Sequence, residues 1–379
     1  MALVLSEEQV MLRDSAAGFL ADKAGVPQLR ALRDSGSVEG YESAVWREMA
    51  QMGWAGIAIP EAFGGLGYGY MGLGLVLEQV GRFLSPSPLE SNVLTAATLV
   101  NELGNRAQKE QWLPEIAGGK SLMTLALQEG RHHKPEQTAL AAKAEVEGYV
   151  LTGRKGLVLD AGTAQQFLVV ARTAGAVGDP EGLTVFAVPA NATGVAVESR
   201  RMVDSRASGE LTLQDVKVGS EAVLGEPGKA WSALQRTLDI ANIGLASELL
   251  GLSVEAFERT VEYLKERKQF GRIIGTFQGL QHRAAAMFAE LELARSIVLQ
   301  ALQAIDANDE KLSLLASAAK AKLCEVAQQV TNEAVQMHGG IGMTDEHDIG
   351  FFLKRARVAQ YTFGDYNYHL DRFARLNGY

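Results

Sequence analysis

Two long stretches near the end of the chain repeat apolar residues every three or four positions, and they constrain the fold more than any other feature. Leu280, Ala284, Met287, Leu291, Ala294 and Val298 form one stripe; Leu312, Leu315, Ala319, Leu323, Val326, Val330, Ala334 and Met337 form the other. At 3.6 residues per turn each set lies on one face of a helix. Faces of that length need other helices to cover them, so they predict core or oligomer contacts rather than ligand sites. From Ala230 onward the chain therefore reads as a four- or five-helix bundle.

The first third is also helical. Ser6-Glu-Glu-Gln carries a Ser cap and early acids, with Val10, Leu12, Ala16, Phe19 and Leu20 near helical spacing. Further helices are predicted from Trp46, through Leu73–Val80, from Glu90 to Leu103 and from Arg106 to Ile116. After Lys120 the texture changes to short alternating or β-branched runs: Leu122–Leu127, Ala142–Leu151, Gln166–Ala171, Gly182–Val188, Gly194–Val197 and Glu210–Val218. Turn residues separate them, which predicts a compact antiparallel barrel or sandwich. The expected class is α+β, with a helical domain over 1–120, a β domain over 121–225 and a helical bundle over 226–379.

Composition excludes some functions. The chain has 379 residues, 47% hydrophobic and 21% charged, and a net charge of −9, which disfavours a general nucleic-acid or anionic-membrane binder. Cys324 is the single cysteine, so no intrachain disulfide forms and a cytoplasmic setting is expected. No leader is read at the N-terminus, and no uninterrupted membrane-length apolar span is found. His132 and His133 are adjacent, so their rings diverge, and no metal-ligand spacing is present.

Several motifs carry chemistry. Tyr263-Leu-Lys-Glu-Arg-Lys-Gln-Phe-Gly271 precedes Ile274-Gly-Thr-Phe-Gln-Gly-Leu-Gln-His282, and Gln336-Met-His-Gly-Gly340 follows the second stripe. Upstream stand Trp46-Arg-Glu-Met-Ala-Gln-Met-Gly-Trp54, Pro60-Glu-Ala-Phe-Gly-Gly65 and Gln111-Trp-Leu-Pro-Glu-Ile-Ala-Gly-Gly119. A guanidinium meets pyrophosphate oxygens bidentately, amides add donors and glycines let a backbone approach closely. By themselves Gly339 and Gly340 also suit a helix C-cap.

In that order, and over nearly the whole chain, these motifs resemble the acyl-CoA dehydrogenase family. The resemblance implies FAD as cofactor and removal of a proton and a hydride from the α and β carbons of an acyl-CoA thioester. It also implies that each FAD is shared between two subunits. The half-site for the nucleotide end falls on Arg267, Phe270, Phe277, Gln278, Gln336, Gly339, Gly340 and Asp365.

The other half-site departs from the family pattern. Where the family reads Leu-Thr-Glu-Pro-x-x-Gly-Ser-Asp, this chain has Leu127-Gln-Glu-Gly-Arg-His-His-Lys-Pro135. Leu157 and Leu159 stand where an aromatic and a threonine line the flavin ring, and leucine offers no hydrogen bond to its polar edge. Both positions used for the catalytic base lack a carboxylate: they hold Phe363 and Ala241. Asp365 lies two residues beyond the first. Glu248 lies two turns beyond the second, about 10 Å along the helix at about 1.5 Å per residue. Lys354, Arg355 and Arg357 are read as a solvated or paired helix face, or as contacts to a phosphate of CoA or FAD.

The resemblance therefore implies a tetramer. The missing base points to the partner subunit of an α2β2 assembly, which gives its nucleotide half-site to a glutamate-bearing paralogue. Electron-transfer flavoprotein is the expected electron acceptor. A self-sufficient homotetramer using Asp365, a non-oxidative lyase and a scaffolding paralogue remain alternatives.

Overall fold

The computed structural model describes residues 4–379; residues 1–3, the head of the stretch read above for a leader, lie outside the described residues. Six helices come first: α1 (Glu7–Lys23), α2 (Val26–Ser35), α3 (Ser43–Gln51), α4 (Tyr70–Phe83), α5 (Thr98–Leu103) and α6 (Arg106–Ala117). Ser6 and Asn105 open α1 and α6 with reciprocal caps, their side chains accepting from the Gln9 and Gln108 backbone while those glutamines accept in return. The segment ahead of α5, Leu89–Ala97, is wound as a wholly buried π-helix rather than the α-helix that its pattern suggests.

Eight strands follow: β1 (Met123–Ala126), β2 (Ala141–Glu145), β3 (Gly148–Leu159), β4 (Gln166–Arg172), β5 (Leu183–Pro189), β6 (Val195–Arg201), β7 (Ala207–Gly219) and β8 (Val223–Leu224). They make one sheet in the order β6-β7-β3-β2-β4-β5-β8, with β1 paired to β4. Two expectations need correction. The run Ala142–Leu151 is not one strand but the tight hairpin β2–β3, in which Ala144 faces Tyr149 across the turn. The sheet is also not wholly antiparallel, because β1 runs parallel to β4, with Met123 opposite Gln166; the intervening hairpin carries the chain back to the same end. Phe167, Phe186, Leu151, Val158, Leu211 and Leu213 fill the core, and Tyr149 meets Phe186 edge-on at 5.0 Å between ring centres.

Five long or medium helices and a small hairpin complete the chain: α7 (Trp231–Glu266), β9 (Lys268–Gln269), β10 (Arg272–Ile273), α8 (Gln278–Asp306), α9 (Leu312–His338), α10 (Ile349–Tyr361) and α11 (Tyr366–Leu376). Both predicted stripes are realised, and α9 packs against α8, α10 and α11. Helix α7 is, by length and composition, long and apolar enough to cross a membrane, though Asp239 and Glu248 interrupt its apolar run. Yet 89% of its apolar window is buried in the protein, as befits a core helix.

The chain divides into two compact units. One comprises residues up to Ala31, Tyr70–Ser85 and Asn242–Tyr379; the other comprises Leu32–Gly69 and Pro86–Ala241. In the first, α4 and α7 cross with their backbones nearly touching. A Cβ on Gly251 would lie 1.7 Å from the Glu78 carbonyl oxygen, and one on Gly81 would lie 2.0 Å from that of Glu248. Glycine is required at both positions because the obstacle is backbone.

Candidate functional site

The residues assigned to the nucleotide end all belong to the first unit. Helix α7 stops as the Arg267 N–H bonds the Tyr263 carbonyl at 2.9 Å, and the chain turns into the β9–β10 hairpin. Its two turn residues, Phe270 (φ 53°) and Gly271 (φ 77°), are both left-handed, the condition for the tight turn that matches strand twist. Phe270 is thereby held at the tip, 89% exposed. It meets Phe277 edge-on at 6.2 Å, and the Arg272 guanidinium covers the same Phe277 ring at 4.1 Å. Arg267 and Gln278, which flank this aromatic pair in sequence, are exposed.

The Gly339–Gly340 turn follows α9. Gly339 adopts φ 67°, its N–H bonding the Gln336 carbonyl, so the C-cap reading holds alongside any binding role. A Cβ built on either glycine meets nothing within 4 Å, which leaves an open cradle over the backbone. The Tyr263 hydroxyl donates to the His338 carbonyl at 3.2 Å, and the two rings stack with centres 4.4 Å apart. Because Tyr263 lies one turn before Arg267, this contact brings the root of the hairpin beside the glycine turn. An exposed guanidinium, two exposed amides (Gln278 and Gln336) and an uncovered glycine backbone are a donor set that fits a pyrophosphate.

At the position that the sequence resemblance equates with the family's base, Phe363 sits in a left-handed conformation (φ 55°) within a turn gripped from inside the bundle. The buried Lys320 ammonium donates to the carbonyls of Thr362 at 2.5 Å and Gly364 at 3.3 Å, and to Asn242 Oδ1 at 3.2 Å. His369 Nε2 lies 3.1 Å from the Phe363 carbonyl oxygen. Nothing in the sequence signalled the Lys320 contact, since that residue stands there as a charge beside an apolar helix stripe. Asp365 caps α11, its Oδ1 accepting from the Tyr368 N–H at 2.9 Å.

Glu248 is not poised for proton transfer. Its two oxygens accept from Arg355 Nε at 2.9 Å and Nη2 at 2.7 Å, with both side chains buried. The basic cluster accordingly disperses: Arg355 is committed to Glu248, Arg357 bonds Gln328, Gln360 and Asn332, and Lys354 lies over the Phe351 ring. Cys324 is buried with its thiol directed at the Gln360 carbonyl, and burial pushes its pKa up, which suits an inert side chain.

The residues expected on the ring side, and Ala241, belong to the second unit. Ala241 is fully buried in α7. Gln128 turns its amide back on its own loop, donating to the carbonyls of Gly130 and His132 at 2.7 Å each. Glu129 accepts from the Ala139 and Leu140 N–H groups and pairs at 2.6 Å with Lys155, which is wholly buried. Burial lowers the Lys155 pKa to about 8, against the pull of Glu129. The open pocket lined by residues between Leu127 and Thr138 holds about 250 Å³, less than the roughly 300–1,000 Å³ typical of small-molecule sites. Leu157 lies on a β-bulge at φ 48° and is 47% exposed, whereas Leu159 is buried.

Comparison with known proteins places the chain in a family. The profile "Acyl-CoA dehydrogenase, N-terminal domain" matches residues 6–120, the middle-domain profile matches 116–216 and the C-terminal-domain profile matches 228–376. The short-chain specific acyl-CoA dehydrogenase of Clostridium acetobutylicum is 30% identical, with 94% of each chain covered. Subunit CarC of the caffeyl-CoA reductase-Etf complex of Acetobacterium woodii is 29% identical, again with 94% of each covered. Among solved structures, a variant of the steroid ACAD Tcur3481-Tcur3483 superposes with a TM-score of 0.87 at 33% identity, covering 98% of both chains. With helical N- and C-terminal domains around a β-sheet middle domain, the chain belongs to the FAD-dependent acyl-CoA dehydrogenase family.

Proposed function

We propose that this chain is the subunit of an α2β2 acyl-CoA dehydrogenase that holds the nucleotide end of FAD for a glutamate-bearing partner. The observation that carries the reading is the state of the carboxylates around the base positions. Phe363 and Ala241 occupy those positions, Glu248 is clasped by Arg355, and Asp365 caps α11. The self-bonded Gln128 loop and the leucines at 157 and 159 support the same reading, since they offer the flavin ring few donors. The relative of known structure whose name joins two proteins, Tcur3481-Tcur3483, lends further support.

In this reading Arg267, Gln278 and Gln336 bind the pyrophosphate edge, the glycine turn admits it, and Phe270 with Phe277 forms an apolar wall against water. When bound, FAD accepts the hydride of acyl-CoA oxidation. The α-proton leaves to a carboxylate of the partner, because a base must lie within hydrogen-bond reach of that proton. Electron-transfer flavoprotein is the proposed acceptor, in keeping with the Etf complex to which CarC belongs, and a reducing cytosol is the proposed compartment.

The test is reduction by substrate. Purified alone, supplied with FAD and mixed with a panel of acyl-CoA thioesters, the chain should leave flavin absorbance unbleached; with its partner also present the flavin should bleach. Bleaching by the chain alone that disappears in Asp365→Asn would establish instead the homotetramer with a relocated base, a reading favoured only by Asp365's place two residues beyond Phe363.

A further inference from the structure

Among the buried titratable groups that the mechanism above leaves unused, His338 sits directly under the glycine turn. His338 is 3% exposed; its Nδ1 lies 2.7 Å from the Ala334 carbonyl oxygen, which fixes the proton on Nδ1. Its Nε2 is buried with no hydrogen-bond partner. The ring is layered between Tyr263, at 4.4 Å, and His347, at 4.5 Å. His347 in turn accepts the Ile349 N–H on its Nδ1 at 3.2 Å, at the start of α10. The loop carrying Gly339 and Gly340 is therefore closed at both ends by neutral imidazoles in mutual contact.

We propose that His338 is the positioning residue of the Gly339–Gly340 turn, and that its contact with His347 makes the flavin-holding conformation of that turn open on acidification. The inference rests on the reading of this turn as a flavin half-site. A proton on His338 Nε2 would be a buried cation with no acceptor and a second imidazole 4.5 Å away. A proton on His347 Nδ1 would remove the acceptor of the Ile349 N–H.

The surrounding charges bear on this balance. From α7 come the Tyr263 hydroxyl, on the His338 carbonyl, and Arg259, paired with Glu255 and Asp348. From the loop come Asp345 and Asp348, both engaged by Arg30 of α2. Burial holds both histidines below their ordinary value; His347 adds to the effect on His338, while Asp348 opposes it and Arg259 reinforces it for His347. The open turn thus binds more protons than the closed turn just below the ordinary histidine value. Closure is complete above that value and weakens as pH falls through it.

Backbone hydrogen exchange over residues 336–348, corrected for its intrinsic pH dependence, tests this in the complex co-purified with the glutamate-bearing partner. Wild-type protection should fall about tenfold between about pH 7 and about pH 5.5, the effect of roughly one proton, and FAD retention should fall with it. In His338→Asn the side-chain amide still reaches the Ala334 carbonyl but does not titrate, so the ratio between the two pH values should collapse toward one. His347→Gln should reduce the ratio, and with the wild type it decides the matter if His338→Asn does not fold. Equal wild-type protection at both pH values, or the wild-type ratio in both variants, overturns the proposal. An exchange ratio that moves in protein retaining no FAD at either pH sustains the histidine device and refutes the flavin reading instead.

Discussion

Glu248 and Arg355 stand 107 positions apart in sequence and form the most deeply buried ion pair in the first unit among those described. Removing one member of such a pair leaves an uncompensated charge, which typically destabilises by about 3–5 kcal/mol. Glu248→Ala is therefore expected to lower the unfolding free energy by that order, as read from urea denaturation. A loss of turnover without a loss of stability would instead make Glu248 a catalytic group. Lys155 supplies a second residue-scale prediction. Its folded pKa is depressed to about 8 from 10.5. Between those values the unfolded chain keeps a proton that the folded chain has released, so stability rises with pH there. Relative to Lys155→Met, the wild type should gain on the order of 1 kcal/mol per pH unit across that window, as read by chemical denaturation; a flat difference would mean that Glu129 keeps the lysine charged. The sequence exposed the absence of glutamate at 363 and 241, because identity is local information. It hid what became of Glu248 and Gln128, because a partner over a hundred residues away or a side chain folded back on its own loop leaves no local pattern.

At the scale of elements, the α4–α7 crossing depends on Gly81 and Gly251. Gly251→Ala puts a methyl against the Glu78 carbonyl, and the helices must separate; overpacking of this kind costs about 1–3 kcal/mol, to be read as a lowered melting temperature. Unchanged stability would show that the crossing relaxes freely. The β9–β10 arm is the second such element. Gly271→Val forces a β-branched residue to φ 77° and should disorder the hairpin tip, lowering FAD retention by the assembled enzyme several-fold while the bundle stays folded. Retention at the wild-type level would remove Phe270 and the arm from the flavin site. The stripes on α8 and α9 and the capped starts of α1 and α6 were legible because periodicity and capping act within a few residues. The β2–β3 break, the parallel β1–β4 pair and the π-helix at Leu89–Ala97 were not, since each is decided by the sheet or core around it.

At the scale of the whole molecule, family membership, the α+β class and FAD dependence were readable because motifs occur in order along almost the entire chain. Division of labour between subunits is a different kind of property. It lies in which half-sites are complete: in the proposed reading that is the one of Arg267, Gln336 and the open glycine turn, while the Gln128 loop is closed on itself. The most direct measurement is the flavin content of this chain co-purified with its glutamate-bearing paralogue and, separately, of the chain alone. The account predicts one FAD for every two chains in the mixed tetramer and little or none in the chain by itself. One FAD per chain in a homotetramer that is reduced by acyl-CoA would contradict it.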